Sequence, residues 1–330
     1  MKQNMLEKIR KLKPGEIVPL HYDEAFKIVF ANPDHLEILT VLLSRILKIE
    51  YKDIVGRISL KPLKIPGQKL GEKKTERDVV VSLKKNDVYN LILEVNVSRE
   101  YYQTIMNRNL YYSFQIAGRG LKESKNYKDM DYTFLINFNT FFIDKQNEFI
   151  FDEYLLRNVK GHVLTEKHKV FNINIAKCHE VWYHNKYQGM FEPYEEDLML
   201  LCAAMMVTTE KDFQEIMELV RIKPEIKELM EALVLNMTKD DGIVGRYYDY
   251  QEEQRRINDF IIEEITEKAT KEALEKGIQQ GIEQGIQQGI VRNQKEVIIK
   301  MYSKNLSLEE IEELTGIELE VIKSIINQNN

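Results

Sequence analysis

The chain has 330 residues, 43% of them hydrophobic, enough for one large core or two smaller ones in an ordinary globular composition. Lys and Arg number 47 against 53 Asp and Glu, and the net charge of −6 argues against wholesale binding of polyanions. No run of about 18 apolar residues occurs, so no membrane span is expected. 

The leader MKQNMLEKIRKLKPGE is charged and lacks the apolar stretch of a secretory signal. Two cysteines, Cys178 and Cys202, belong to no CxxC pair; they fit a reducing cytoplasm and give no zinc motif. Next, YDEAFKIVF and PDHLEILTVLLSRILKI carry helical apolar spacing and are divided at Asn32-Pro33. Asp23 reads either as the N-cap of the first helix or as a functional carboxylate. GRISLKPL suggests a strand, followed by a basic loop.

Arg57, Lys61, Lys64, Lys69, Lys73, Lys74 and Arg77 crowd this region. Residues 251–330 hold 10 basic and 16 acidic residues, so the first 250 balance at 37 each. The basic run is therefore either a rim for phosphates or a solvated loop. Residues 71–96, GEKKTERDVVVSLKKNDVYNLILEVN, then predict a hairpin turning at KKND. Glu94 and Asn96 lie two apart and share a face. If register brings Asp78 alongside, two carboxylates meet at the end of an apolar hairpin, as a hard divalent cation requires. Glu94 sits among Leu91, Ile92, Leu93, Val95 and Val97, so it should be paired or metal-bound. Arg108 is the rival partner, since an ion pair would satisfy both without a metal.

Residues 99–120 predict an amphipathic helix with Tyr102, Ile105, Met106, Leu110, Phe114, Ala117 and Leu121 on one stripe. Tyr101, Thr104, Arg108, Tyr111, Tyr112, Gln115 and Arg119 form the other. Strands are expected at 132–138, 148–156 and 169–176, giving a mixed α/β sheet with helices on both sides. Beyond about residue 190 the pattern is helical. A long helix over 251–290 contains GIQQGIEQGIQQGI, whose glycines at 277, 281, 285 and 289 each cost about 1 kcal/mol relative to Ala. A weak helix is expected, fraying or dependent on a partner, serving as a tether or as a seam between copies through Ile278, Ile282, Ile286 and Ile290. Three short helices should close the chain, the middle one opened by Ser307 and Glu310 and ended by Gly316. Their acidic faces favour protein contacts over DNA reading. The absence of GxxxxGK[ST] leaves no nucleotide cofactor.

The order of DEAFKIVF, GEKKTERDVVV…LILEVN and RNLYYS resembles the PD-(D/E)XK nuclease superfamily, and within it the recombination-promoting nuclease and transposase family. The likeness covers roughly residues 20 to 300. It implies a restriction-endonuclease-like core over 1–190, a helical extension over 191–250, the long helix over 251–291 and a small helical tail over 292–330. It also implies Mg²⁺-dependent hydrolysis of DNA phosphodiesters, with Mn²⁺ as an alternative ion and a link to recombination or mobile elements. By that resemblance Asp78 and Glu94 are metal ligands, the Val95 carbonyl adds an oxygen, and Asp23 or Glu24 approaches the metal through water. Asn96 completes the catalytic set where the family usually carries Lys or Gln. Asn96 brings neither a positive charge nor a proton acceptor. Lys27, Lys73, Lys74, Arg108 and Tyr112 are placed along the DNA backbone, and Tyr111 and Tyr112 read equally as packing residues. The alternative is a catalytically weak or inactive nuclease-derived protein that binds DNA or other proteins.

Overall fold

The computed structural model describes residues 11–62, 64–65, 75–97, 102–119, 126–141 and 150–328. Two compact units divide the chain, Met1–Tyr250 and Gln251–Asn330. In the first, α1 (Asp23–Phe30) and α2 (Leu36–Ile46) are the two expected helices. Asn32 opens a 3-10 turn between them by accepting from the Asp34 N–H at 2.9 Å. A short α3 (Tyr51–Ile54) leads into β1 (Ile58–Leu60). The pair β2 (Lys64–Ile65) and β3 (Thr75–Glu76) forms a separate ladder. The expected hairpin is β4 (Val79–Lys84) and β5 (Val88–Asn96). Then come α4 (Tyr102–Arg119), β6 (Tyr132–Asn139), β7 (Phe151–Arg157), β8 (Val163–Asn174) and α5 (Ile175–Tyr183).

Three boundaries differ from the sequence reading, each for a local reason. Asp78 sits in a bend just before β4 instead of on the strand. The strand expected at 169–176 stops at Asn174, whose side chain accepts from the Lys177 N–H at 2.8 Å and so caps α5. That helix went unforeseen because the apolar run through Ile173 and Ile175 suits a strand or a buried helix equally. At its other end β8 begins at Val163 and forms with β7 a hairpin that is largely solvent-facing, so the alternation is weak there.

The six-stranded sheet has the order β1-β4-β5-β6-β8-β7. Strands β5, β6 and β8 run parallel, β4 on one side and β7 on the other run antiparallel to them, and β1 pairs antiparallel with β4 at the edge. β4 is central and buried from Val79 to Leu83, as a near-continuous apolar run should be. Helices α6 (Pro193–Ala204), α7 (Glu210–Leu219) and α8 (Pro224–Lys239) complete the first unit together with the start of α9 (Asp241–Tyr302). One face of the sheet, through Val79, Val81, Leu91, Leu93, Ile136 and Phe138, shares a single buried core with α1, α2 and α5 to α8. The opposite face carries α4 over a smaller apolar cluster of Val80, Ile92, Ile116 and Leu135. The mixed sheet flanked by helices is thus the fold expected.

In the second unit, α9 continues without a break across the glycine repeat. The long helix expected over 251–290 is therefore present, with helix-favouring Gln and Glu between the glycines. The first of the three expected tail helices is the end of α9; α10 (Leu308–Thr315) and α11 (Leu319–Asn327) are the other two. Ser307 and Glu310 form the expected capping box, and Gly316 ends α10 at φ +66. Ile298, Ile311, Ile322, Ile325 and Ile326 make the core of this unit. Among the described residues no helix is long and apolar enough to cross a membrane.

Candidate active site

The parallel strands end in polar pairs of one phase. Register sets Glu94 beside Asn137 and Asn137 beside Asn172, then Asn96 beside Asn139 and Asn139 beside Asn174. Two adjacent rows of carboxyl and amide side chains therefore cross three strands at their carboxyl ends, where open α/β sheets gather ligands. Most of these side chains are buried. Helix α4 covers this polar face with Met106, Asn109, Ser113 and Ile116. The expected stripe placed Phe114 inward; it is 53% exposed and stacks on His168 at 4.7 Å. The face that turns inward is polar because the sheet beneath it is polar. Ser113 Oγ lies 3.0 Å from His168 Nε2.

Asn109 is the centre of the amide network. Its Nδ2 donates to Asn137 Oδ1 at 3.0 Å and to Asn96 Oδ1 at 3.4 Å. Asn137 Nδ2 donates onward to Asn172 Oδ1 at 2.8 Å, and Asn96 Nδ2 to Asn139 Oδ1 at 2.9 Å. Each end of the Asn96 amide thus has a protein partner, leaving one N–H and one lone pair on a side chain that is almost wholly buried.

The two carboxylates lie together at the mouth of this network. Val79 pairs with Leu93 at the end of the β4–β5 ladder, so Asp78 and Glu94 each adjoin that last pair. Asp78 Oδ2 accepts from the Val95 N–H at 2.9 Å. Burial, then the charge and hydrogen bond of Asp23, push the Asp78 carboxyl up to about 6, against the opposing Val95 N–H and Lys27. Glu94 is only 2% exposed. Its carboxyl is pushed up to about 8, first by burial and then by the charge of Asp78, although Arg108, Arg77 and Lys27 pull the other way. The rival ion pair is present but loose: Arg108 Nη2 lies 3.7 Å from Glu94 Oε2, while Glu94 Oε1 has no hydrogen-bond partner among the described residues.

Helix α1 forms one wall of the site. Phe26 anchors it, 5.7 Å from Phe138 and 4.8 Å from Phe30 by ring centroids. One turn holds Asp23 and Lys27 together: Lys27 Nζ is 2.8 Å from Asp23 Oδ2 and 3.4 Å from Asp78 Oδ1. Burial lowers the Lys27 pKa, but the bonds and charges of Asp23 and Asp78 outweigh it and leave the ammonium above its usual range. Asp23 is not the N-cap; Tyr22 holds that position without a side-chain cap, and Asp23 sits favourably in the first turn. Glu24, its alternative, is committed to Arg246 at 2.6 and 2.8 Å.

Arg77 was read only as part of the basic rim, yet it is wholly buried. Its Nη2 donates to the Tyr112 carbonyl at 3.2 Å and its guanidinium lies 4.7 Å over the Tyr112 ring, with Arg108 at 5.8 Å. Tyr112, half-buried, is thus packed against two cations. Tyr111 is exposed and accepts from Gln115 Nε2 at 2.7 Å. Lys73 and Lys74 lie outside the described residues. The amide network was missed, though three strands end in the readable pairs Glu94-x-Asn96, Asn137-x-Asn139 and Asn172-x-Asn174.

Among the described residues no three His, Cys, Asp or Glu side chains are arranged to hold a metal ion. Two carboxylates suffice for Mg²⁺, which keeps several waters and takes one or two carboxylates plus substrate phosphate. An orphaned, buried Glu94 oxygen beside Asp78 fits such a cation.

Residues 20–262 match the family of PD-(D/E)XK nuclease family transposases, and the chain belongs to that family. No curated protein and no solved structure matches it significantly. Family membership implies a DNA substrate, and nucleases of this type generally use divalent metals.

Folding raises both carboxyls above the ordinary carboxylate range, so the metal-free fold retains protons that the unfolded chain releases. Their contribution to stability is complete below about pH 4 and is lost as pH rises through about 6 and about 8. In EDTA, urea unfolding at a series of pH values should show Glu94→Gln losing less stability than wild type between pH 6 and 8.5. Parallel curves for the two proteins would contradict this electrostatic assignment.

Proposed function

We propose that this chain is a divalent-cation-dependent DNA endonuclease, with Mg²⁺ as the working ion and Mn²⁺ able to replace it. The observation that carries the reading is the buried Glu94 carboxyl, one oxygen without a partner among the described residues, set beside Asp78 at the ends of parallel strands. Asp78 and Glu94 would hold the cation, with the Val95 carbonyl as a further oxygen and Asp23 acting from the adjoining helix. A bound divalent cation would lower the pKa of a water and offset charge on the scissile phosphate and the leaving oxygen.

The remaining work falls to the protein's own groups. Lys27, already shared between Asp23 and Asp78, places a positive charge beside the carboxylates and can pass to a phosphate oxygen. Arg108 stands at the rim, 47% exposed, where a planar fork can take a phosphate. Lys73 and Lys74 extend the same basic run. Tyr112 supports the two guanidinium groups instead of stacking on a base. Asn96 contributes by fixing the ends of the strands, and its spare N–H is available to a water or a phosphate oxygen. The biological setting we infer is mobility or recombination of DNA, in the cytoplasm.

A second reading, a weak or inactive nuclease derivative that binds DNA or protein, is favoured by one feature. Asn96 lacks the charge of Lys, and both ends of its amide are bonded within the protein. For assembly we infer pairing of identical chains along α9. Ile278, Ile282, Ile286 and Ile290 are 46 to 57% exposed within the chain. Glu283 is the one charge between 277 and 290, so two copies could approach without repulsion.

Nicking of supercoiled plasmid in Mg²⁺ or Mn²⁺ should fall by at least about 100-fold in Asp78→Ala and in Glu94→Ala. Equal rates in all three proteins would remove the assignment, and DNA binding with no metal-dependent cleavage would favour the second reading. Light scattering coupled to size exclusion should find wild type larger than a monomer and Ile282→Glu/Ile286→Glu monomeric; a monomeric wild type would end the pairing proposal.

A further inference from the structure

One amide serves three groups at the edge of the site. Asn109 is wholly buried on the inward face of α4, and its two N–H groups are anchored on Asn96 and Asn137 of the strands. Its Oδ1 faces the other way and accepts from Arg108 Nε at 3.2 Å. Residues adjacent in sequence do not face each other on a helix. Arg108 must therefore fold back across α4 to make this bond, and in doing so it brings Nη2 to 3.7 Å from Glu94 Oε2.

We infer that Asn109 is a positioning residue: anchored in the strand amides, it holds the Arg108 guanidinium at the Glu94 end of the site. The bond occupies one of five guanidinium N–H donors and leaves the other four for the carboxylate and an incoming phosphate. The two strand partners take only the Asn109 N–H groups; the bond from Arg108 meets its buried Oδ1 and at the same time fixes a group at the rim. The role in DNA cleavage rests on the nuclease reading above, whereas the clasp itself does not.

The test uses the full chain labelled with ¹⁵N-arginine. Exchange of the Arg108 Nε proton should be at least about 10-fold slower in wild type than in Asn109→Ala. In plasmid nicking, Asn109→Ala and Arg108→Ala should each lower kcat by about 10-fold or more with KM within about 3-fold, and the double variant should be no worse than either. Arg108→Lys, which leaves the core intact and keeps the charge but has no Nε–H, should lose as much kcat as Arg108→Ala and covers the case of a poorly folded Asn109→Ala. Fast exchange in wild type, additive losses, or full activity in Arg108→Lys would overturn the inference. If wild type does not nick at all, the nuclease reading fails, and the exchange rates alone decide whether the clasp exists.

Discussion

Glu94 is buried at 2% exposure with one carboxylate oxygen lacking any hydrogen-bond partner among the described residues, and this unmet charge conditions everything around it. An ionised carboxylate in such surroundings is costly unless paired, and the available pairing is incomplete. Arg108 comes only to 3.7 Å, and Lys27 is shared by two other carboxylates. The protein alone resolves the conflict by keeping a proton on Glu94 up to about pH 8. A divalent cation would resolve it by replacing that proton. Carboxyls pushed up by burial and by a neighbouring like charge are the kind of group that clusters at functional sites.

The rest of the first unit can be understood as support for that group. Apolar residues on one face of β4, β5 and β6 fix the strands against the main core, and the polar pairs on the other face are free to form the site. Helix α4 is bound to this polar face by Asn109 and Ser113 as well as by its few apolar contacts. Buried amide networks that are fully connected specify one register, because a slip by one residue would leave several polar groups unmet. Phe26 holds α1 in place, so that Asp23 and Lys27 reach the same strand ends from the side.

The hairpin and the shared phase of Glu94 and Asn96 were legible because strand alternation is a strict period of two. The family likeness was legible from ordered short motifs that spacing alone would have left weak. The buried face of α4 was not, because hydrophobic periodicity cannot register Asn109 and Ser113 as inward residues. Asp78 was placed on a strand, whereas a bend frees its carboxylate to accept from the Val95 N–H. Arg77 looked like one more member of a basic loop, and only tertiary packing shows it enclosed beneath Tyr112. The polar-x-polar endings of β5, β6 and β8 were visible in the sequence, but their meaning needs the strand order, which places those endings side by side.

Calorimetric titration of the metal-free chain with Mg²⁺ at pH 7.5, in two buffers of different ionisation enthalpy, reads whether Glu94 gives up its proton to a cation. Binding should be saturable, its heat should differ between buffers by a fraction of a proton up to one per ion, and the difference should vanish in Glu94→Gln. Absence of binding, or heats that do not depend on the buffer, would show that Glu94 does not exchange its proton for a cation.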